Sequence, residues 1–366
     1  MDISRVVLFI MAAFMVWGAV DKAIFNNRFG YGEQFDEGML AMGPLATAMV
    51  GFMCLAPVLG KILTPLVTPV FRMVGADPAM FAGSILGIDM GGFPLAMEMT
   101  DYNHIAVFSG GLYASMMGVC LTFAIPVALG ILNKEDHPYL AKGVMCGIII
   151  IPAASLVGGL IMGIGVIAVL RNLIPAMILS ILLTLGLIIV PEKLMNGFQV
   201  FSKVITAMVY GSLAAAIFTE LTGIVVIPGM APIGPQLTIV GIIGITLAGA
   251  YPFVYFVTKV FSKPLKKCGS MLKVNEVTVG GLIACLANSL PMLGLVKNMN
   301  PRGKTIAIAF MVPAAFAFGD HLAYASANMP DYIVPLILTK VIGGMLAIIV
   351  AMLMTREKPL RERKEI

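Results

Sequence analysis

The chain has 366 residues, of which 59% are hydrophobic and 12% are charged, and its formal net charge is +5. A soluble domain carries about twice this share of charged residues, so lipid must be the solvent for much of the surface. The basic residues lie in short loops rather than on one face that would bind nucleic acid. Five scattered cysteines without a CxxC pair lead us to expect no disulfide, metal or other cofactor.

Most of the chain consists of long apolar runs. A helix that crosses about 30 Å of hydrocarbon needs roughly 20 apolar residues, and we predict nine such helices. In chain order these spans are 3–20, 38–60, 105–131, 143–169, 172–190, 197–227, 235–262, 305–327 and 333–354. The first run lacks a clear cleavage site, so we expect it to be retained as a helix rather than removed as a signal peptide. The sequence therefore predicts an all-α polytopic membrane protein.

Two further apolar stretches, 78–97 and 278–296, are interrupted near their midpoints. Each combines a polar side chain with a proline, and the first also has two glycines, a combination that breaks a helix. We expect both to be re-entrant hairpins that enter and leave on the same side. The interrupting residues are Asp89, Gly91, Gly92 and Pro94 in the first stretch and Asn288, Ser289 and Pro291 in the second.

The distribution of positive charge favours hairpins over crossings. Lysine and arginine collect in cytoplasmic loops, and two re-entrant segments put most of the 24 basic residues on that side. Two full crossings would instead put the cluster Lys263–Lys273 outside. The same assignment places the C-terminus in the cytoplasm and the N-terminus outside the bacterial cytoplasmic (inner) membrane.

The order of elements occurs twice with opposite direction, which predicts an inverted repeat. The boundaries are 1–170 for the first repeat, 171–196 for a linker helix, 197–354 for the second repeat and 355–366 for a basic cytoplasmic tail. Inverted repeats whose broken helices meet near the bilayer midplane are typical of secondary transporters. A chance likeness between two apolar halves stays open as the alternative. Carriers with such hairpins are often dimers or trimers, so a homo-oligomer is possible.

Several segments resemble the ethanolamine utilisation transporter family, EutH. They are Ala19–Lys22, Phe29–Glu33, Gly38–Gly43, Gly75–Phe81, Asp89–Glu98, Gly118–Gly130 and Leu140–Gly143. The resemblance covers nearly the whole chain, and Asp89-Met-Gly-Gly is its most specific piece. It implies import of ethanolamine across the cytoplasmic membrane, which would feed a cobalamin-dependent lyase in a bacterial microcompartment. It assigns no residue roles, so the candidate site comes from the residues themselves.

Ethanolamine carries an ammonium and a hydroxyl, so its site needs a carboxylate or aromatic face and a hydrogen-bonding group. Asp89 is the first candidate, because a carboxylate within an apolar segment costs about 2.5–3.5 kcal/mol unless it lines a polar cavity. Gly91 and Gly92 would leave backbone carbonyls free to coordinate the cation. The alternative is that Asp89 caps the second half-helix.

Five further residues are candidates, each with a structural alternative. Asn288 and Ser289 occupy the equivalent break of the second repeat, where they would face Asp89 and bind the hydroxyl or act as caps. Asp320 and His321 offer a carboxylate beside a proton relay, or an interfacial ion pair with Lys340. Glu220 is an acid two-thirds along its span, with structural pairing as the alternative.

The expected function is secondary transport of ethanolamine by uniport, with lipids and the substrate as partners and no nucleic acid. Proton- or sodium-coupled symport and a channel are the alternatives. An intramembrane aspartyl protease is disfavoured, because Gly319-Asp320 lacks the partner aspartate on a neighbouring span that such enzymes need. No nucleotide-binding motif is present, so this chain alone does not hydrolyse ATP for transport.

Overall fold

The structure is a computed structural model that describes residues 3–355, without the side chains of residue 3 and of residues 261–271. Every regular element among these residues is helical. The α-helices are α1 (Ile3–Ala23), α2 (Tyr31–Leu40), α3 (Met42–Met73), α4 (Ala79–Ile85), α5 (Phe93–Met99), α6 (Asn103–Ala106), α7 (Met117–Val119), α8 (Ile125–Ile131), α9 (His137–Ile161), α10 (Val166–Ile189), α11 (Pro191–Thr222), α12 (Ile233–Leu272), α13 (Glu276–Ala287), α14 (Ser289–Leu295), α15 (Pro301–Ala314), α16 (Asp320–Asn328) and α17 (Ile333–Met354). Short π-helical or 3₁₀ turns lie at Ile88–Gly92, Val107–Tyr113, Cys120–Ala124, Lys134–Asp136, Val296–Asn298 and Pro330–Tyr332.

Eight segments of the described chain are long and apolar enough to cross a membrane. They are Ser4–Ala23, Tyr31–Met73, Asn103–Ile131, Lys134–Ile161, Val166–Ile189, Pro191–Thr222, Ile233–Val260 and Pro330–Met354. These correspond to eight of the nine predicted spans, with different boundaries. The chain is an all-helical, multi-pass membrane protein.

The ninth predicted span, 305–327, is not one helix. It is divided into α15 and α16 by a non-helical stretch, in which Ala315 is extended and Phe316 has a φ of 63°. Pro313 lies in the last turn of α15 and removes a backbone donor there, which helps to end the helix. The prediction of a continuous span was therefore wrong, because hydropathy does not register a break that keeps apolar side chains.

The surface of the long helices is apolar, as a lipid-facing surface must be. On α10 the exposed side chains include Ile181, Leu182, Leu185 and Ile188, each at least 47% exposed. A water-soluble protein does not present contiguous apolar surface of this kind without a partner. Lipid contact on α10 accounts for it.

The first interrupted stretch folds back on itself. The Thr100 hydroxyl, directly after α5, donates a hydrogen bond to Asp77 Oδ2 before α4 at 2.8 Å. The Asp77 backbone amide in turn donates to Asn172 Oδ1 on α10 at 2.7 Å. A straight helix of this length would separate its ends by about 30 Å. The segment is therefore a hairpin with its base at Asp77 and Thr100.

The second stretch has the same form. The Asn275 side-chain amide donates to the Asn298 carbonyl at 2.8 Å, and the Asn300 amide donates to the Lys273 carbonyl at 3.2 Å. Both bonds join the start of α13 to the residues after α14. The two hairpins have the geometry that re-entrant segments require.

The helices pack in reciprocal pairs. A long helix, a hairpin, a broken helix and a final helix follow each other in α3–α9 and again in α12–α17. Helix α1 packs on α12, and in the corresponding pair α11 packs on α3. Helix α9 packs on α15, and in the corresponding pair α17 packs on the turn Val107–Tyr113. This exchange of partners is expected of two related halves, whether parallel or inverted. The inverted direction and the boundaries 1–170, 171–196 and 197–354 stay predictions. The predicted basic tail at 355–366 lies, apart from Thr355, outside the described residues, as do the side chains of Lys263, Lys266 and Lys267.

Candidate functional site

The tip of the first hairpin is a tight turn that presents Asp89. The chain turns through Gly91, whose φ of 98° is in the left-handed region that favours glycine. A Cβ atom there would lie 2.0 Å from the Phe52 ring, so glycine also permits the tip to pack on α3. Asp89 and Met90 are half-buried, whereas Gly91 and Gly92 are buried. The N-cap residue of α5 is Gly92, and no side chain caps this helix, so Asp89 is not its N-cap.

The tip of the second hairpin is a single extended residue. Asn288 has φ −150° and ψ 134° between α13 and α14, and its Oδ1 accepts a hydrogen bond from the Leu290 amide at 2.9 Å. The predicted capping role is therefore present. The residue is also half-buried rather than enclosed, so its side chain borders the interior of the protein as well.

The break between α15 and α16 lies directly against this second tip. The Phe316 amide donates to the Cys285 carbonyl at 3.0 Å, and the Phe318 amide donates to the Leu286 carbonyl at 2.8 Å. These bonds satisfy backbone groups that a broken helix would otherwise leave unpaired in an apolar interior. A Cβ atom on Gly319 would lie 1.9 Å from the Ala287 carbonyl oxygen, so only glycine permits this approach.

Polar side chains from both hairpins and three other elements meet here. The Tyr251 hydroxyl of α12 donates to Asp320 Oδ1 at 3.3 Å and also lies within reach of the Asn288 side chain. Asp89 lies within electrostatic range of Asp320. We call Asp89, Tyr251, Asn288, Asp320 and Lys340 the central cluster. All but Lys340 are half-buried among buried neighbours, as expected for groups that line a crevice.

Lys340 of α17 is the enclosed member of the central cluster. Its side chain has no exposed surface, and its Nζ donates to the Ser115 carbonyl at 2.7 Å. Its charge lies within range of Asp89. Within the described residues it forms no ion pair with Asp320 or another carboxylate. The predicted alternative, an interfacial ion pair with Lys340, is therefore not what the structure contains.

Three polar atoms beside the central cluster have no hydrogen-bond partner among the described residues. They are Ser289 Oγ, His321 Nδ1 and Tyr324 Oη. The His321 ring packs against Phe316 with a centroid separation of 5.0 Å, and Tyr324 lies within electrostatic range of Asp89. Buried polar atoms are nearly always paired, so these atoms have hydrogen-bonding capacity left for a ligand.

The structure brings most of the predicted site residues together. Asp89, Asn288 and Asp320 belong to the central cluster, with Ser289 and His321 beside it. Glu220 is exposed on α11 between the exposed side chains of Phe218 and Leu221, so it stands apart. Sequence reasoning missed Tyr251, the unpartnered hydroxyl of Tyr324 and the complete burial of Lys340. A lysine within an apolar span was the available signal for Lys340.

Comparison with known proteins gives full-length matches. The family model described as "Ethanolamine utilisation protein, EutH" matches residues 3–354. "Probable ethanolamine permease EutH" of Listeria monocytogenes serotype 1/2a (strain 10403S) is 48% identical over 97% of this chain and 95% of its own length. The protein of that name in Escherichia coli (strain K12) is 44% identical over 97% of this chain and 96% of its own length. "Uncharacterized protein YxeR" of Bacillus subtilis (strain 168) is 42% identical over 100% of this chain and 99% of its own length. No solved structure matches this chain significantly.

Proposed function

The chain belongs to the EutH family of ethanolamine utilisation proteins, and we propose that it is a permease that imports protonated ethanolamine across the bacterial cytoplasmic membrane by uniport. The observation that carries this proposal is the pair of carboxylates, Asp89 and Asp320, at the tip of one hairpin and beside the tip of the other. The names of its relatives support the same substrate.

The central cluster offers matching groups for both ends of ethanolamine. An ammonium that leaves water needs a carboxylate or a comparable partner, and Asp89 and Asp320 supply it. A hydroxyl both donates and accepts, and Asn288 and the unpartnered Ser289 and Tyr324 hydroxyls are available for it. We assign no role to Glu220, because its exposed position gives it no contact with this cluster.

The substrate is itself a cation, and the carboxyl groups of Asp89 and Asp320 are suited to bind its ammonium. The membrane potential alone already drives entry of a cation, at about 2.3 kcal/mol per charge for each 100 mV. These points favour uniport over proton or sodium symport.

The hairpin arrangement favours a carrier over an open pore. The two tips approach the same interior region from separate bases, and the break at 315–319 closes against the second tip. Access to the central cluster from either side then requires a hairpin or its neighbours to move. Hairpins and broken helices that meet at a midplane site are the usual architecture of alternating-access transporters.

Contacts between loops support the proposed orientation. Lys304 pairs with Asp136, and the Lys259 ammonium donates to the Phe29 carbonyl at 3.0 Å. Charge distribution assigns all four residues to the cytoplasmic side. On the other side, Asp77 contacts Asn172, and both belong to segments assigned to the outside. Every one of these contacts joins regions assigned to the same side.

Uptake of labelled ethanolamine into proteoliposomes tests the proposal. We expect saturable uptake that shows counter-exchange, increases with an inside-negative potential and does not require a sodium or proton gradient. Linear uptake without counter-exchange would indicate a pore. Uptake that stops when the sodium or proton gradient is removed, at constant potential, would replace uniport by symport. Absence of any ethanolamine flux would contradict the proposed function.

A further inference from the structure

Three basic side chains line one pocket, of about 620 Å³, on the side of the protein that is assigned to the cytoplasm. They are Lys142 of α9, Lys273 between α12 and α13, and Arg302 in the first turn of α15. We propose that this pocket, which we call the basic pocket, binds the phosphate group of an anionic ligand. It is a second site, separate from the central cluster, and its existence does not depend on the proposed substrate.

The three cations have no counter-charge within the described part of the chain. No acidic side chain is among the described residues that line the basic pocket, and none of the three cations forms an ion pair with a described carboxylate. Asp136, close by in the chain, pairs with Lys304 instead. Residues 356–366 carry five basic and three acidic residues, so their side chains add positive charge overall. A concave surface with one sign of charge concentrates ions of the opposite sign.

Arg302 distinguishes the basic pocket from an ordinary basic surface. Its side chain is half-buried, and its Nε is buried without a hydrogen-bond partner among the described residues. Buried polar atoms are nearly always paired, so this N–H group is available to a ligand. Basic residues on the cytoplasmic side are common in membrane proteins, but membrane topology does not explain a buried donor that is left unpaired. The planar guanidinium group is suited to bond two oxygens of one phosphate.

The size of the basic pocket fits a phosphate group that belongs to a larger compound. Pockets for small ligands typically have volumes of about 300–1,000 Å³, so this pocket has room beyond the phosphate itself. Its three positive charges match the multiple negative charges of a phosphate ester or polyphosphate better than the single charge of a monocarboxylate. Tyr139 adds an aromatic ring to the lining.

The inner end of the basic pocket is closed. One helical turn further into the protein, α9, α15 and α17 pack together through fully buried side chains, among them Cys146, Ala309 and Ala351. An acyl chain therefore has no path between these helices. The phosphate group could belong to a soluble compound or to the headgroup of a phospholipid whose chains stay outside the pocket.

The basic pocket lies at the base of the second hairpin. The Asn300 side-chain amide donates to the Lys273 carbonyl at 3.2 Å, and both residues line the pocket. A phosphate held by Lys142, Lys273 and Arg302 would therefore connect this base to α9. Because a ligand that binds only the folded state stabilises it, we expect such a ligand to raise the Tm of the protein.

Isothermal titration calorimetry with pyrophosphate and with ATP, on the full chain in a non-ionic detergent, tests the inference. We expect saturable binding of one anion per chain that weakens as the salt concentration rises. Arg302→Gln and Lys273→Gln should each bind at least about tenfold more weakly, because each loses a charge-assisted hydrogen bond. Lys193→Gln removes an exposed positive charge of α11 outside the pocket and should bind normally. Lys273 is exposed, so its variant tests the site even if Arg302→Gln does not fold.

Nanodiscs of phosphatidylcholine, with or without phosphatidylglycerol, distinguish the two sources of phosphate. Equal pyrophosphate binding in both indicates a soluble ligand, whereas binding that is lost only with phosphatidylglycerol indicates that its headgroup occupies the basic pocket. Absence of pyrophosphate and ATP binding in phosphatidylcholine nanodiscs would overturn the inference, as would equal binding by the wild type, Arg302→Gln and Lys273→Gln. Ethanolamine uptake tests the proposed function separately, so the two failures are distinguishable.

Discussion

At the scale of single residues, the account depends most on Asp89. Removal of its charge leaves Asp320 as the only carboxyl group of the central cluster that can pair with the substrate ammonium. We expect Asp89→Asn to lower ethanolamine uptake by at least about tenfold, since loss of one partner of a desolvated charge pair typically costs 2–5 kcal/mol. Asp101→Asn, in an exposed loop after the same hairpin, is the matched control and should transport normally. Full uptake by Asp89→Asn at normal membrane levels would remove Asp89 from the site.

Tyr251 positions Asp320 through its hydroxyl. Hydrogen bonds to charged groups contribute about 1.5–3 kcal/mol, and Tyr251→Phe removes this bond while it keeps the ring. We expect the apparent KM for ethanolamine to rise roughly tenfold, with protein levels unchanged. Tyr210→Phe on the exposed face of α11 should leave KM unaltered. An unchanged KM for Tyr251→Phe would show that the bond does not orient the carboxylate for the substrate.

The sequence identified polar residues at breaks but not those within regular helices. Asp89, Asn288 and Asp320 interrupt or flank apolar runs. The free-energy cost of placing a polar side chain in lipid therefore identified them as candidates. Tyr251 lies in the long helix α12. The direction of its side chain depends on how α12 packs, which a single sequence does not reveal. Asp320 and His321 are neighbours, yet the Asp320 side chain is half-buried and the His321 side chain is fully buried. Only tertiary structure distinguishes them.

At the scale of elements, the close approach of α16 to the second hairpin is the critical contact. Gly319→Ala would place a methyl group against the Ala287 carbonyl and push the break away from the tip. We expect uptake to fall strongly, because Asp320 follows Gly319 directly and would move with it. Gly294→Ala in α14 is the control, since its added Cβ meets no described atom within 4 Å. Equal uptake by the two variants would contradict the importance of this contact.

Both hairpins were predictable because a polar residue and a proline coincide within each short apolar stretch, with two glycines besides in the first. The break at 315–319 was not predicted, although Pro313 and Gly319 flank it. Its residues Ala315–Phe318 are apolar, so the hydropathy of the predicted span 305–327 stays high across the break. Their backbone groups are satisfied by the second hairpin, a long-range pairing with no local signal. Element boundaries in a membrane protein therefore depend on contacts as well as on composition.

At the scale of the whole molecule, the hairpins make a specific prediction about sidedness. Single cysteines at Met73 and Asp101 flank the first hairpin, and those at Lys273 and Asn298 flank the second. In a background without native cysteines, we expect a membrane-impermeant maleimide to label the first two only from outside and the last two only from the cytoplasm. These four positions are exposed. Labelling of Met73→Cys and Asp101→Cys from opposite sides would show that the first segment crosses the membrane.

The most direct test is a cryo-electron microscopy structure of the protein in lipid with ethanolamine bound. We predict ligand density between the two hairpin tips, with its ammonium end within hydrogen-bond distance of Asp89 or Asp320 and with Lys340 enclosed behind it. Density at a different location, or hairpin tips that are separated by lipid, would contradict the account.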